Sequence, residues 1–258
     1  MTREAWGDTA LKEGEEREFQ FGSLALTVRR EGREFRTRRT LAGEERAVAS
    51  PSLLRGDDGW KRWVFAKASK TMRLSPRVDA RSIVVAPRDQ FHLMRGAEAT
   101  VFVVLPLWVG IEDAASGQTM ATLPTRSMGR GWFGSRTMGE VCFWHQSRFF
   151  HEPPPRQEGG ASVICTIHIA NDSKGDLPVE KVCLRMRHFS LFWADGRYWT
   201  DEARLRFEGK DEGSEISYTG HPPPEAPLAE LVRGPHERPG SVFSAKAFFN
   251  LFSIGGDQ

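Results

Sequence analysis

Residues 127 to 135, SMGRGWFGS, set Gly129, Gly131 and Gly134 in G-x-G-x-x-G spacing. That spacing suits a turn whose bare backbone cradles a pyrophosphate, provided a buried strand precedes it and a helix follows. Neither flank qualifies. ATLPTRSM carries a proline and no buried strand, SRTMGEVCFW alternates toward a strand, and Trp132 and Phe133 put two rings where a ligand needs open backbone. The expectation is a glycine-rich connection between strands. A narrower chemistry survives, in which Arg126, Arg130 and Arg136 offer forked donors to an anion and Trp132 a ring to stack on it. Its competitor is a solvated loop with scattered charges.

Metal-like spacing occurs twice, as Cys142-Phe-Trp-His145 and Cys165-Thr-Ile-His168. Together these four side chains are soft ligands of the kind tetrahedral zinc takes. In extended strands residues i and i+3 face opposite ways, so each pair would need a tight turn. The bulky apolar neighbours argue instead for cysteines packed in a core, and neither a metal nor a cofactor is expected. No G-x-S-x-G, H-E-x-x-H or P-loop occurs. His145, His151, His168 and His188, with Asp172, Asp176 and Asp195, leave a triad assembled by folding open.

Two further stretches carry charge or apolar surface. Arg29, Arg30, Arg33, Arg36, Arg38 and Arg39 fall within residues 28 to 40, a density that can follow a nucleic-acid backbone. Glu31 and Glu34 interrupt the run, which favours a charged edge hairpin that discourages sheet-to-sheet association. Near the C-terminus, Phe243, Ala247, Phe248, Leu251 and Phe252 lie along one helical face. Such a helix either docks on the core or serves a partner or membrane, and Phe243, Phe248, Leu251 and Phe252 are the contact candidates.

The elements that would position these groups read as strands. Short apolar alternations bounded by Gly, Pro, Asn and Asp recur along the 258 residues, and helical periodicity is scarce. Residues 19–28 and 33–37 form a strand, tight turn and return strand about Gly32. Further strands are expected at 60–66, 82–86, 100–104, 107–111, 141–144, 162–169, 179–186, 204–207 and 215–218. The proline run in HEPPPRQEGG cannot continue a helix or a central strand. It suggests a linker at 151–160 between an N-terminal β domain (17–150) and a C-terminal β-sandwich half (161–220), or else a long loop inside one sandwich. Residues 1–16 read as a flexible start, 221–240 as a proline-rich tether and 241–258 as the amphipathic helix. The fold expected is mainly β, two immunoglobulin-like sandwich halves with that short helix.

Charge is nearly balanced, with 36 Lys plus Arg against 34 Asp plus Glu, so no global field recruits nucleic acid or membrane. The charged start lacks a secretory signal, and no segment reaches the roughly 18 apolar residues of a membrane span. The three cysteines, an odd number, read as reduced thiols in a cytoplasm.

SIVVAP, FHLMRGAEATVFVVLPLWVGI, GWFGS with GEVCFW, and CTIHIANDSKGDLPVEKVCLRM occur in that order. This series resembles the prokaryotic family known as domain of unknown function 432 over about residues 17 to 218. PLWV at 106–109 and LPVEKVCLR at 177–185 are its most distinctive pieces. The resemblance implies no catalytic residues, and points at most to a membrane protein as a class of partner. The functional expectation is a non-catalytic cytoplasmic interaction or regulatory module whose partner is another protein, with self-association open. Its alternatives are a binder of an anionic ligand or nucleic acid through the arginines, and an enzyme of another type.

Overall fold

The structure is a computed structural model that describes residues 6–43, 59–67, 69–134, 139–155, 161–209 and 213–238. Among them are 21 strands, and the one helical element is a single 3-10 turn at Met186–His188. The C-terminal helix expected at 241–258, with Phe243, Phe248, Leu251 and Phe252, lies outside the described residues.

The chain forms two compact units that are not consecutive halves. One takes its described residues from Met1–Asp79, Pro106–Ser127 and Arg156–Ser162; the other takes the rest. The proline run is thus one of several crossings, and its start is pinned within the second unit, where Arg197 donates to the Pro154 carbonyl at 3.1 Å.

With strands numbered along the chain, the first unit holds β1 (Gly7–Ala10), β2 (Glu16–Phe21), β3 (Leu24–Glu31), β4 (Glu34–Leu41), β5 (Lys61–Val64), β6 (Thr71–Arg77), β10 (Trp108–Asp113) and β11 (Thr119–Pro124). They make two four-stranded antiparallel sheets, in the orders β1-β6-β10-β11 and β2-β3-β4-β5. Phe21, Leu26, Val28 and Phe35 from one sheet share a buried cluster with Met72, Leu74, Val109 and Ile111 from the other. Period-2 alternation gives each sheet one apolar face, and the two faces bury each other. Residues 7–16 are therefore held rather than flexible: β1 pairs with β6 and Leu11 is buried. The long strand expected at 19–28 breaks at Gly22, whose φ of 57° is open to glycine and strained for other residues.

The second unit holds β7 (Ile83–Pro87), β8 (Phe91–Leu93), β9 (Glu98–Pro106), β12 (Gly129–Gly134), β13 (Gly139–Ser147), β14 (Ser162–Asn171), β15 (Leu177–Val179) and β16 (Val182–Leu184). It continues with β17 (Leu191–Ala194), β18 (Arg197–Thr200), β19 (Ala203–Gly209), β20 (Gly213–Tyr218) and β21 (Glu230–Arg233). One sheet runs β12-β13-β7-β16. A seven-stranded sheet runs β20-β19-β14-β18-β17-β21, with β9 also on β14. Both sheets are mixed, because β13 pairs with β7, and β14 with β18 and β19, in parallel. Immunoglobulin sandwiches are antiparallel, so this unit departs from that expectation.

β14 meets β18 through Val163 and Ile164 and β19 through Ile167–Asn171. At the break between those partners sits Asp201, fully buried, its carboxylate accepting the Ser190 N–H at 2.7 Å and the Gly220 N–H at 3.0 Å. Burial raises this carboxyl to about 6, because two backbone donors compensate only part of the lost hydration. The stretch expected as a tether is docked as well: β21 pairs with β17, and the Glu237 N–H reaches the Arg187 carbonyl at 3.0 Å.

Candidate functional site

The glycine-rich stretch is a strand, which corrects the expected connection. Gly129 to Gly134 form β12, paired residue by residue with β13. The glycines make room for rings from the neighbouring strand and its own. A Cβ on Gly131 would sit 2.5 Å from Nε1 of Trp144, and one on Gly139 would sit 2.6 Å from the Trp132 ring. Indoles laid over glycines replace the missing side-chain packing of the strand. The spacing that mimics a phosphate cradle thus belongs to tryptophan packing.

Arg130 and Trp132 lie on one face of β12, with Arg130 stacked 5.6 Å from the Phe143 centroid and Trp132 52% exposed opposite Val141. Arg126 belongs to the other compact unit, and Arg136 lies outside the described residues.

The opposite face of the same sheet gathers thiols. The register places Trp144, Val84 and Cys183 side by side across β13, β7 and β16. Side chains two residues away share that face, so Glu140 and Cys142 on β13, Ser82 beside β7, and Lys181 and Arg185 flanking Cys183 join it. Contacts agree: Ser82 Oγ donates to Glu140 at 2.9 Å, Arg185 and Arg187 approach the same carboxylate at 3.5 and 3.4 Å, and Lys181 stands 5.3 Å from the Trp144 centroid. Val84, Phe133, Cys142 and Cys183 form a small buried cluster against Trp144. The Sγ atoms of Cys142 and Cys183 and a Glu140 oxygen all lie within 4.8 Å of one another.

The two thiols bias each other. The neighbouring Cys183 thiol lowers the Cys142 titration, and the same proximity together with burial raises Cys183. One proton is therefore lost more readily than from an isolated thiol, and the second is retained. Cys165 differs: enclosed in the seven-stranded sheet, it is pushed up to about 12 by burial and acts as an apolar filler.

The four residues singled out by Cys-x-x-His spacing are not brought together. His145 faces away from Cys142, with Nε2 3.1 Å from the Val104 carbonyl. His168 meets Thr100 Oγ1 at 3.2 Å and Glu98 at 3.5 Å. Cys183 and Glu140 complete the cluster instead. Forty residues separate Cys142 from Cys183, and only the β13-β7-β16 register joins them. Of the groups left open for a triad, His188 Nδ1 lies 3.1 Å from the Glu237 carbonyl and Asp172 pairs with Arg206 at 3.0 Å.

The arginine hairpin is β3 and β4, and both are interior strands of their sheet, which overturns the edge-protection expectation. Its charges are largely matched. Arg29 pairs with Glu31 at 2.7 Å, Arg36 with Glu31 and Glu34 at 2.5 and 2.7 Å, and Arg38 with Glu16 at 3.7 Å. Arg30 is buried and donates to the Ser69 carbonyl at 2.9 Å. Arg33 and Arg39 are exposed.

Two other surfaces stand out in the second unit. A polar groove of about 540 Å³ crosses the seven-stranded sheet, lined by Glu98, His168, Arg204, Arg206 and Glu215 among others. Ion pairs occupy much of it, Arg204 with Glu202 at 2.5 Å and Arg206 with Asp172. The other surface is β21, the last strand in the sheet order. Leu231 and Val232 are 62% and 39% exposed on it, and Leu228, in the turn before it, is 94% exposed.

The family model for protein of unknown function (DUF432) matches residues 5–251, nearly the whole chain. The chain belongs to that family. No curated protein and no solved structure matches it. Membership extends the resemblance of residues 17–218 through β1 at one end and β21 at the other, so both sheets of the first unit and the docked 230–233 segment lie within the family's extent. No helix among the described residues is long and apolar enough to cross a membrane.

Proposed function

We propose that the protein is a non-catalytic, cytoplasmic interaction module that binds a protein partner along β21, the partner adding an extended strand to the seven-stranded sheet. The exposure of Leu231 and Val232 on the strand that ends the sheet among the described residues, with Leu228 exposed in the turn before it, carries this reading. Single exposed apolar side chains are ordinary, but three within five residues at a sheet end are a concentration. Edges in native sheets are commonly guarded by charge, proline or bulges. Leu231 and Val232 are consecutive, so their side chains leave opposite faces of the strand. A flat partner would cover one of them; an added strand covers both, by backbone hydrogen bonds with alternate side chains on each face. The register shift between Leu191 and Phe192 leaves β21 carried on the sheet by a short ladder.

The test compares the intact chain with Val232→Pro, which removes a backbone N–H, and Leu231→Lys, which places a charge on the edge. A partner recovered with the intact chain should be lost with both variants at unchanged melting temperature. Recovery that is indifferent to both variants contradicts the reading.

A further inference from the structure

The geometry points to a binding site for a soft divalent cation of the zinc type, held by Cys142 Sγ, Cys183 Sγ and a Glu140 carboxylate oxygen on one face of the β13-β7-β16 ladder. These three donors already lie within 4.8 Å of one another. Zinc bonds to sulphur at roughly 2.3 Å, and at a tetrahedral angle this sets two sulphurs about 3.8 Å apart. Closing the site thus asks for small side-chain movements, with the strands fixed in place.

The obvious competitor for two neighbouring cysteines is a disulfide, and the topology opposes it. Cys142 and Cys183 stand on strands separated by β7. Two strand spacings put their backbones at least about 9.5 Å apart, whereas a disulfide spans Cα atoms no more than about 7 Å apart. Their sulphurs converge over β7 because the side chains there are short, Ser82 and Val84. A bridging atom fits that span, and a direct S–S bond does not.

Charge is consistent with a dication. Two thiolates and one carboxylate leave a single negative charge on the occupied site, and Arg185 and Arg187 stand at 3.5 and 3.4 Å from Glu140 to meet it. Ser82, donating to Glu140 at 2.9 Å, orients the carboxylate. Binding releases the thiol protons to solvent as each sulphur becomes a ligand. Three protein donors leave a fourth tetrahedral position for water or an incoming ligand.

The test titrates the reduced, metal-free full-length chain with Zn²⁺, and separately with Co²⁺ as a spectroscopic probe. The expected result is one equivalent bound, a thiolate-to-cobalt charge-transfer band, and proton release that rises toward two per metal as pH falls below the thiol range. Cys142→Ser and Cys183→Ser should each abolish the band, Glu140→Gln should weaken binding by at least the factor of about 10 to 100 that losing a ligand-orienting partner costs, and Cys165→Ala should leave both unchanged. Against the chance that the serine variants misfold, Zn²⁺ added to the unaltered chain should slow thiol modification at Cys142 and Cys183, located by mass spectrometry. Absence of stoichiometric binding, binding without the thiolate band, or a Cys142–Cys183 disulfide in the oxidised chain would overturn the site.

Discussion

Replacing Asp201 by Asn should remove a pH dependence of stability that runs opposite to that of the other perturbed carboxylates. Asp201 is wholly buried between β18 and β19 and titrates near 6 against an unperturbed 3.8. Below pH 4 the group is protonated in both folded and unfolded chains. Between about pH 4 and 6 the unfolded chain ionises while the folded one keeps its proton, so stability falls as pH rises; above 6 the loss is complete. A displacement of about two units corresponds to roughly 3 kcal/mol. The carboxylates of Asp8 and Glu34 are lowered, chiefly by donation from Arg73 and Arg62, so they lose stability as pH falls. Subtracting the variant from the parent cancels their share. Urea unfolding of Asp201→Asn and the parent at pH 4, 5, 6 and 7 should show the difference drifting in the variant's favour by about 3 kcal/mol across the range. The Asn amide also sets a donor against the Gly220 N–H, at a cost of about 1–3 kcal/mol that does not depend on pH. A difference independent of pH would refute the placement of an ionisable, only partly compensated carboxyl at this break in the ladder.

Three further outcomes follow from packing. Gly131→Val should displace the Trp144 indole, lowering stability by about 1–3 kcal/mol and shifting tryptophan emission; Gly129→Ala, whose Cβ would stand 3.9 Å from Trp144, should be tolerated. Arg77 and Glu112 form a buried ion pair in the first unit. Arg77→Met alone should cost about 3–5 kcal/mol in urea unfolding, and pairing it with Glu112→Leu should restore most of that. Gly110→Ala should disturb the same pair, because its Cβ would meet the Arg77 side chain and come 2.7 Å from Ser75 Oγ; a melting temperature equal to that of the parent would show that Arg77 moves freely.

Strand content was readable because short apolar runs bounded by turn residues survive in single stretches: 82–86 and 162–169 fall almost on β7 and β14. Strands that break that pattern were not. β12 is built on glycines whose role depends on tryptophans of its hairpin. β6 contains Pro76, tolerated where β1 has ended and β10 is the one neighbour. The division into units was hidden because the chain crosses between them repeatedly, and no local composition marks a crossing at 79, 105 or 127. The thiol cluster was half visible. Cys142 stood out by its spacing to His145, but strand geometry sends those two side chains to opposite faces, and its true neighbours come from the parallel pairing of β13 with β7. The arginine hairpin was found as a hairpin, while its interior place depended on β2 and β5 flanking it.

The binding-module account is tested most directly by amide hydrogen exchange on the intact chain, alone and bound to the partner it recovers. The account predicts slower exchange at residues 230–233 in the complex, with β2 to β4 unchanged. Exchange along β21 that is the same in both states would contradict it.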